Sequence, residues 1–335
     1  MKIAINGFGR IGRTFFRAAS EARLEIVAIN DLADLETLVH LAKHDSTYGE
    51  FPGEIEMAEN GFAVNGRTIR FSQEKDPAKL PWRDLGVDVV IESTGVFTEK
   101  EKALAHIEAG ARYVVISAPA KGDEAVKTFV LGVNEENFDP GMDNVMSMAS
   151  CTTNALTPVA KVLNDAFGIE KAMMSTIHSF TMDQVLQDSP HKDPRRARSA
   201  VQSIIPTTTG ATKATAQVIP DLKDKMDGVS FRVPTPTVSL VDFVALLKKD
   251  VTVEEINAAF IKAIEEPKLH GALAVSHEPL VSVDFRGNPN GSIVDLLSTQ
   301  VVGGNLVKVI AWYDNELGYS YRLAEFCRFL ETKIK

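Results

Sequence analysis

Residues 2–31 have the sequence KIAINGFGRIGRTFFRAASEARLEIVAIND, and this stretch decides the fold of the first part of the chain. The apolar run over 2–6 predicts a strand that ends at a glycine-rich turn. A helix is predicted over 13–22, and a second buried strand over 24–30 ends at Asp31. The order strand, glycine turn, helix, strand and acidic residue is typical of a Rossmann dinucleotide-binding domain.

The glycines and the acid have separate tasks in such a domain. Gly7 permits the tight turn, Gly9 lets a pyrophosphate approach the backbone, and Gly12 lets helix and strand pack closely. The helix N-terminus directs free N–H groups at the phosphates. Asp31 lies 19 positions after Gly12 and can bind the adenosine ribose, where its charge favours NAD over NADP. The simpler interpretation is a structural turn, with Asp31 capping a helix over 32–42.

Three further segments extend the predicted sheet. VDVVIES over 87–93 and RYVVIS over 112–117 are β-rich runs, and they flank a helix pattern over 100–109. The stretch 60–70 predicts a hairpin that turns at Asn65-Gly66. Alternating strands and helices favour the parallel α/β class.

Composition and charge exclude several classes of function. The chain has 335 residues and a formal net charge of -9, so nucleic acid and anionic membranes are not expected as partners. Its two cysteines form neither a disulfide framework nor a CxxC metal site, which fits a reducing cytosol. No apolar run approaches the ~20 residues of a membrane span. The N-terminal run is too short for a signal peptide. We expect a two-domain cytoplasmic protein without a metal.

Cys151 lies in the segment ASCTTN, directly before a helix pattern over 156–167. Ser150 is a candidate N-cap, which would put Cys151 at the helix N-terminus, where the dipole favours the nucleophilic thiolate. The hydroxyls of Ser150 and Thr152 suit an anion. The simpler interpretation of such a cysteine is a small buried residue, and that is our interpretation of Cys327 in its apolar helix pattern.

A histidine follows in the predicted strand MMSTIHS, over 173–179. Beside Cys151, His178 can stabilise the thiolate as imidazolium and later move protons. The simpler interpretation is a strand histidine that satisfies its own hydrogen bonds. The combination of cysteine, histidine and dinucleotide fold favours a catalytic pair.

Hydroxyl groups and arginines further along indicate an anionic substrate. Residues 207–210 (TTTG) precede a helix pattern over 211–219 and offer hydroxyls and a glycine at a helix start. Arg232 lies in FRVPTP, and three more arginines lie in RRAR over 195–198. A solvated loop or a salt-bridge network between subunits is the simpler interpretation. An acidic protein that groups these arginines favours anion binding.

Over its whole length the chain resembles phosphorylating glyceraldehyde-3-phosphate dehydrogenase. The matching segments are INGFGRIGR (5–13), AINDL (28–32), STGVF (93–97), ISAPAKG (116–122), ASCTTN (149–154), IHSF (177–180), PHKD (190–193), RRAR (195–198), TGATKA (209–214), RVPTPTVS (232–239) and WYDNELGYS (312–320). The resemblance implies NAD-dependent oxidation of D-glyceraldehyde 3-phosphate to 1,3-bisphosphoglycerate in glycolysis and gluconeogenesis. It implies that Cys151 forms a hemithioacetal and then a thioester, and that His178 takes the hydroxyl proton.

The resemblance also assigns binding residues. The cofactor contacts it implies come from Gly7, Gly9, Arg10, Ile11, Gly12, Asp31, Lys75, Ser117, Asn315 and Tyr319. Among these, Asn315 would orient the nicotinamide carboxamide and Tyr319 would lie beside the ring. The substrate C3-phosphate site it implies consists of Thr181, Asp183 and Arg232. The attacking-phosphate site it implies consists of Ser150, Thr152, Arg196, Thr209 and Gly210.

Three positions depart from the family pattern. Met148 replaces the usual asparagine near the cysteine and removes local polarity. Ala155 replaces the second cysteine of the catalytic helix, so an intramolecular disulfide is unavailable there. Ser189 resembles forms that also accept NADP, whereas Asp31 favours NAD. We expect NAD as the cofactor, with some use of NADP.

The family architecture implies an NAD-binding domain over 1–149, to which a C-terminal helix over 315–335 returns, and an α+β catalytic domain over 150–314 with a mostly antiparallel sheet. The loop 180–203 would lie at a subunit interface of a homotetramer. Two alternatives stay open. Erythrose-4-phosphate dehydrogenase shares the scaffold, but the TGATK segment disfavours it. A non-catalytic binding protein is disfavoured by the intact Cys151.

Overall fold

The computed structural model describes residues 1–334, which form two compact units. The first unit contains Met1–Phe129, Glu136–Ala149 and the residues from Leu323 onward. The second unit contains Val130–Glu135 and Ser150–Arg322. The division at residue 149 into two functional domains stays a prediction. Among residues 1–334, no helix has both the length and the apolar character that crossing a membrane requires.

The first unit is built on a sheet of nine strands. The strands of this unit are β1 (Lys2–Asn6), β2 (Glu25–Asn30), β3 (His44–Asp45), β4 (Gly49–Glu50), β5 (Ile55–Ala58), β6 (Gly61–Val64), β7 (Arg67–Ser72), β8 (Val89–Glu92), β9 (Tyr113–Ile116), β10 (Lys127–Thr128) and β11 (Val145–Ser147). Their order is β10-β11-β9-β8-β1-β2-β7-β6-β5, while β3 and β4 pair separately. All neighbours from β10 to β7 are parallel. The predicted Rossmann fold is confirmed, and the strand order reverses direction between β1 and β8.

Four α-helices of the described residues lie wholly within the first unit, and the N-cap residues account for the starts of the first two. The four are α1 (Arg10–Glu21), α2 (Leu35–Lys43), α3 (Trp82–Leu85) and α4 (Lys100–Glu108). Helix α1 begins at Arg10 rather than at residue 13, because Gly9 is its N-cap and the helix starts inside the glycine motif. Helix α2 is capped by the side chain of Asp34, so the alternative role of Asp31 as its N-cap is wrong.

The hairpin predicted over 60–70 is confirmed. Strands β6 and β7 are antiparallel and are joined by Asn65 and Gly66, whose φ angles are 48° and 78°. Positive φ at both central residues is what a two-residue hairpin turn of this kind requires. The hairpin continues the large sheet, because β7 also pairs with β2 in parallel.

The second unit contains a sheet of eight strands with helices. The strands are β12 (Ile169–Ser179), β13 (Ile205–Thr208), β14 (Met226–Val233), β15 (Ser239–Leu247), β16 (Ala274–Ser276), β17 (Ile293–Asp295), β18 (Gln300–Val302) and β19 (Leu306–Tyr313). The helices are α5 (Cys151–Phe167), α6 (Ala211–Val218), α7 (Val253–Ala263) and α8 (Leu317–Lys333), of which α8 continues into the first unit. The sheet order is β13-β14-β12-β15-β19-β17-β16, and β18 also pairs with β19. The prediction of a mostly antiparallel sheet is confirmed, with β12-β14 and β16-β17 as parallel pairs.

Strict alternation along β15 creates one buried face of this sheet. Val241, Phe243 and Ala245 are 0% exposed, and the residues between them are partly exposed. Leu156 and Val159 of α5 belong to the same apolar cluster. Burial of full aliphatic or aromatic side chains contributes about 1.5–3 kcal/mol each, so this face holds α5 against the sheet.

Candidate active site

A cavity of about 830 Å³ opens at the carboxyl ends of β1, β2 and β8 in the first unit. Four of the predicted cofactor residues line it, namely Gly7, Gly9, Asp31 and Lys75. Ligands of open α/β sheets bind at this edge, next to the point where the strand order reverses. The cavity therefore lies where a dinucleotide is expected.

The three glycines of the motif differ in what surrounds them. A Cβ on Gly7 would lie 2.6 Å from the backbone nitrogen of Thr94, and one on Gly12 would lie 2.1 Å from the Gly7 carbonyl oxygen. A Cβ on Gly9 would meet nothing within 4 Å. Gly7 and Gly12 are therefore required by packing, whereas Gly9 leaves open space beside its backbone. That space and the start of α1 suit a pyrophosphate.

Asp31 and Arg10 already have partners in this region. Asp31 accepts from the backbone N–H of Phe8 at 2.6 Å and from that of Ala33 at 2.9 Å, which ties the glycine loop to the end of β2. Each carboxylate oxygen keeps a further lone pair for a ribose hydroxyl. The Arg10 guanidinium pairs with Asp45 at 2.6 Å. A pyrophosphate contact of Arg10 or its neighbour would therefore use the backbone N–H groups at the first turn of α1.

Both hydrogen-bond donors of Ser117 are used within the sheet. Its backbone N–H and its hydroxyl donate to the carbonyl oxygen of Glu92, at 2.9 and 3.0 Å. Ser117 follows β9 at the same edge as the cavity but is not among the residues that line it. Its predicted cofactor contact stays a prediction.

Cys151 and His178 come together in the second unit. The Sγ atom of Cys151 lies 3.4 Å from Nε2 of His178. Cys151 is the first residue of α5, because the Ser150 side chain accepts from the backbone N–H of Thr153 and caps the helix. His178 is 3% exposed near the carboxyl end of β12. The structure thus joins two residues that the sequence separates by 27 positions.

The electrostatics of this pair differ from the expectation of a thiolate. Burial raises the pKa of the Cys151 thiol, although the residue is partly exposed, and the charge of Arg232 and hydrogen bonds at Thr152 only partly oppose the rise. Burial first, and then the charge of Arg232, lower the pKa of His178 to about 3. The helix N-terminus does favour the thiolate, but burial outweighs it. The resting pair is therefore a thiol and a neutral imidazole.

The tautomer of His178 follows from its second ring nitrogen. Nδ1 lies 2.7 Å from the Ser179 carbonyl oxygen and 2.5 Å from Nη1 of Arg232. Nδ1 can either donate to the carbonyl or accept from the guanidinium, but not both. Arg232 Nη1 also lies 3.1 Å from the Ser179 carbonyl oxygen. With the proton on Nδ1, the imidazole and the guanidinium can therefore both donate to that carbonyl oxygen. We assign the proton to Nδ1, which leaves the lone pair of Nε2 facing the sulfur.

Asn315 is held in one orientation by a short chain of hydrogen bonds. Its Oδ1 accepts from the Ser239 hydroxyl at 2.8 Å, and that hydroxyl accepts from the backbone N–H of Ser179 at 3.1 Å. With Oδ1 engaged, the amide can offer its NH₂ to a carbonyl oxygen such as that of a carboxamide. Tyr319 is 4% exposed, and burial raises the pKa of its phenol well above the ordinary value, so it stays protonated.

Two residues predicted for different phosphate sites form an ion pair. Arg196 donates to the Asp183 carboxylate, and its Nε and Nη2 lie 2.9 and 2.7 Å from the hydroxyl oxygen of Thr207. The backbone N–H of Thr181 donates to the side-chain carbonyl of Gln184 at 3.2 Å. Thr207 was not among the predicted site residues, although it begins the TTTG segment that indicated an anion site.

The hydroxyls predicted to bind the attacking phosphate have internal partners. Ser150 and Thr209 accept from backbone N–H groups at the starts of α5 and α6, and Gly210 is the N-cap of α6. The Thr152 hydroxyl lies 2.9 Å from the Tyr313 hydroxyl. The Thr209 hydroxyl only accepts in its contact and keeps its own proton to donate, and backbone N–H groups at these two helix starts are further donors for an anion. The assignment of both phosphate sites stays a prediction.

Tyr313 is a residue of this site that the sequence reasoning missed. Its hydroxyl lies 2.9 Å from the hydroxyls of Thr152 and Thr176, and its ring centroid lies 6.0 Å from that of His178. Burial raises the pKa of Tyr313, so its hydroxyl remains a donor. Alternation along β19 would have put Tyr313 on the buried face, and a buried tyrosine hydroxyl needs a partner. That signal could have identified it.

The parallel sheet, the cavity at its edge and the cysteine–histidine pair define an NAD-dependent dehydrogenase. The model of the glyceraldehyde 3-phosphate dehydrogenase NAD binding domain matches residues 1–100, and that of the C-terminal domain matches residues 150–315. The chain belongs to the glyceraldehyde-3-phosphate dehydrogenase family, which confirms the resemblance seen in the sequence.

Several curated relatives match the chain over nearly its full length. Glyceraldehyde-3-phosphate dehydrogenase of Geobacillus stearothermophilus is 54% identical, over 99% of both chains. Glyceraldehyde-3-phosphate dehydrogenase 1 of Bacillus subtilis is 53% identical, also over 99% of both chains. The corresponding protein of Clostridium acetobutylicum is 56% identical over 96% of both chains.

Proposed function

We propose that the chain oxidises D-glyceraldehyde 3-phosphate to 1,3-bisphosphoglycerate with NAD and inorganic phosphate, in glycolysis and gluconeogenesis. The observation that supports this most strongly is the 3.4 Å contact between Cys151 Sγ and His178 Nε2, in a chain of this family. A nucleophile and a base within hydrogen-bond reach are what covalent catalysis on a carbonyl requires.

The first step follows from the neutral state of the pair. The sulfur of Cys151 forms a bond to the aldehyde carbon while its proton passes to Nε2 of His178. The imidazolium returns that proton to the aldehyde oxygen, which gives a hemithioacetal. The backbone N–H of Cys151, at the start of α5, is the proposed donor to the developing oxyanion.

Oxidation and phosphate attack then complete the cycle. NAD, when bound, supplies the acceptor for the hydride. His178 removes the hydroxyl proton as the hydride leaves, so that a thioester on Cys151 remains. Inorganic phosphate attacks the thioester carbonyl, and the carbon–sulfur bond breaks to release the acyl phosphate. The proton held by His178 restores the thiol or leaves to solvent.

The residues around the two regions fit these ligands. Gly7, Gly9, Asp31 and Lys75 would hold the adenosine and pyrophosphate parts of NAD, since they line the cavity of the first unit. Asn315 would donate to the nicotinamide carboxamide. The proposed C3-phosphate site consists of Thr181, Asp183 and Arg232. The proposed attacking-phosphate site consists of Ser150, Thr152, Arg196, Thr209 and Gly210.

The family membership also supports a cytoplasmic homotetramer. The stretch 180–204 has neither helix nor strand and exposes Met182, Leu186 and Ile204 by 86, 68 and 69%. Exposed apolar side chains of this size are typical of a surface that another subunit covers. Asp31 favours NAD, and Ser189 would permit some use of NADP.

The test is NADH formation from glyceraldehyde 3-phosphate, NAD and phosphate, with phosphate-free and NADP controls. We expect turnover that requires phosphate and that is faster with NAD than with NADP. Folded, reduced protein without such turnover would contradict the assignment. Turnover with erythrose 4-phosphate alone would assign the related dehydrogenase instead.

A further inference from the structure

A buried polar network lies below the cavity of the first unit, and the proposed chemistry does not use it. Glu92, the last residue of β8, is 1% exposed, and His106 of α4 is 0% exposed. One Glu92 oxygen lies 3.1 Å from His106 Nε2 and 2.6 Å from the side-chain nitrogen of Asn6. The other oxygen accepts from the backbone N–H of Thr94 at 2.8 Å and from its hydroxyl. Acidic side chains are almost never buried so completely unless such partners compensate them.

Trp82 determines which nitrogen of His106 carries the proton. Its indole N–H can only donate, and it lies 3.0 Å from His106 Nδ1. Nδ1 must therefore accept, and the proton on Nε2 is donated to Glu92. Four donors then point at the Glu92 carboxyl, two at each oxygen. These four donors match the acceptor sites of a carboxylate, which has two on each oxygen.

The carboxylate also fixes the orientation of two asparagine amides. Because the nitrogen of Asn6 donates to Glu92, the Asn6 oxygen is left to accept from the Asn30 side chain at 2.7 Å. Asn30 also donates to the backbone carbonyl of Glu74 and accepts from its N–H, both at 2.9 Å. The orientation set at Glu92 is thereby carried, bond by bond, to the segment that starts at Glu74.

Each branch of the network ends in a segment that lines the cavity. Asn6 precedes the glycine loop, Thr94 follows β8, and Glu74 follows β7. The Thr94 hydroxyl also accepts from the backbone N–H of Val96 at 3.0 Å, which fixes the turn of its loop. Glu92 is not among the residues that line the cavity. One buried side chain thus holds, directly or through the asparagines, three loops that line the cavity.

We propose that Glu92 is a positioning residue for the dinucleotide: its carboxylate holds the loops that begin at Asn6, Glu74 and Thr94 in the geometry that NAD requires. The inference rests on the NAD-binding part of the proposed function. Loops that are ordered before binding do not lose conformational freedom when the ligand arrives, so affinity rises. Without the carboxylate, Asn6 and Thr94 lose their common acceptor, and the amide orientation that reaches Glu74 through Asn30 is no longer fixed.

The sharpest test is Glu92→Gln. The amide keeps the size of the side chain, but whichever way it turns, its NH₂ faces two of the four donors. We expect the Kd for NAD from titration calorimetry, and the KM for NAD, to rise about tenfold, which is ~1.4 kcal/mol. The kcat at saturating NAD and the KM for glyceraldehyde 3-phosphate should stay unchanged. The matched control is Glu108→Gln, an exposed glutamate of α4, which should bind NAD like the unchanged chain.

A second variant covers the case in which Glu92→Gln does not fold. His106→Phe keeps an aromatic ring but removes the donor to Glu92, and His106 does not line the cavity. We expect a rise in the Kd for NAD of about threefold, because one of the four bonds is lost.

The outcomes separate this inference from the proposed function. The inference is overturned if Glu92→Gln and Glu108→Gln bind NAD with equal affinity. It is also overturned if Glu92→Gln only lowers the number of active sites and leaves the KM for NAD unchanged. If only His106→Phe folds, an unchanged Kd overturns it. If the unchanged chain lacks phosphate-dependent turnover while Glu92→Gln still weakens NAD binding, the proposed function fails and the inference stands.

Discussion

The two units each bury a polar cluster, and the clusters differ in how fully their hydrogen-bonding groups are used. Around Glu92, each carboxylate oxygen accepts two bonds, and each amide has one orientation. Around Cys151, the sulfur faces one imidazole nitrogen, and the residue remains partly exposed. A saturated cluster is held in one state, whereas a pair that shares one mobile proton can change state. The first arrangement suits binding, and the second suits chemistry.

The largest effect should come from the nucleophile itself. Cys151→Ser keeps the size of the side chain but offers a hydroxyl that ionises far less readily than a thiol. We expect phosphate-dependent NADH formation to fall by roughly 10³-fold or more, with NAD affinity unchanged. Cys327→Ala is the matched control, because Cys327 is 0% exposed and has no part in the proposed chemistry. Substantial turnover in Cys151→Ser would show that Cys151 is not the nucleophile, so the contrast between a binding cluster and a chemical pair would fail.

The second-largest effect should come from removing the base, His178. His178→Asn removes the proton acceptor that faces the sulfur, and we expect kcat to fall by roughly 10²–10⁴-fold, the range typical of general acid–base catalysis. The KM for NAD should change little, because the predicted adenosine and pyrophosphate contacts lie in the first unit. Pre-steady-state measurement of NADH formation would locate the defect before or after the thioester. A kcat within a few-fold of the unchanged chain would assign His178 a structural role.

The sequence predicted local features of the first unit well. The glycine motif, the hairpin turn and the apolar runs depend on neighbours in the chain, so they can be recognised without a structure. The start of α1 was misplaced because a glycine N-cap gives a weak signal. The network around Glu92 was not foreseen, because its members Asn6, Trp82 and His106 are far apart in sequence and only the strand order brings them together.

The second unit shows a different limit of prediction. Cys151 and His178 were singled out by residue type and by family resemblance, but their contact depends on how α5 packs on β12. The sequence indicated a helix position that favours the thiolate, but it could not show the burial that raises the pKa of the Cys151 thiol. Tyr313 was overlooked for a related reason: its hydroxyl bonds to Thr152 and Thr176 arise from strand packing.

The second and third glycines of the motif, Gly9 and Gly12, offer a matched stability test. Gly12→Ala places a Cβ 2.1 Å from a backbone oxygen, whereas Gly9→Ala meets nothing within 4 Å. We expect Gly12→Ala to lower the free energy of unfolding by about 1–3 kcal/mol, as overpacking does, and Gly9→Ala to lower it by less, because no atom lies near the added Cβ and only the poorer N-cap counts. Urea unfolding measures this difference. In the same pair, Gly9→Ala should weaken NAD binding, because the methyl group fills space beside the backbone. Equal stability of the two variants would contradict the packing argument.

A smaller effect should follow from removing one charge. Arg232 lowers the pKa of both Cys151 and His178, because a positive charge favours the thiolate and opposes the imidazolium. In Arg232→Gln both pKa values should therefore rise. The pH profile of iodoacetamide alkylation of Cys151 should move toward alkaline pH, so that the rate at neutral pH falls several-fold. Lys213→Gln serves as a control that removes a positive charge elsewhere in the unit. An unchanged profile in Arg232→Gln would show that its charge does not reach the sulfur.

The smallest change concerns oxidation of Cys151, which is partly exposed. Position 155 lies one turn after Cys151 on α5 and holds alanine, and Cys327 is fully buried. We expect peroxide to give a sulfenic acid that glutathione then captures, with no intramolecular disulfide. Ala155→Cys should change this, because residues four apart on a helix are neighbours and the new thiol can trap the sulfenic acid. Peptide mass spectrometry distinguishes the two products. A bridge from Cys151 to Cys327 in the unchanged chain would mean that the second cysteine becomes accessible, against its burial in the structure.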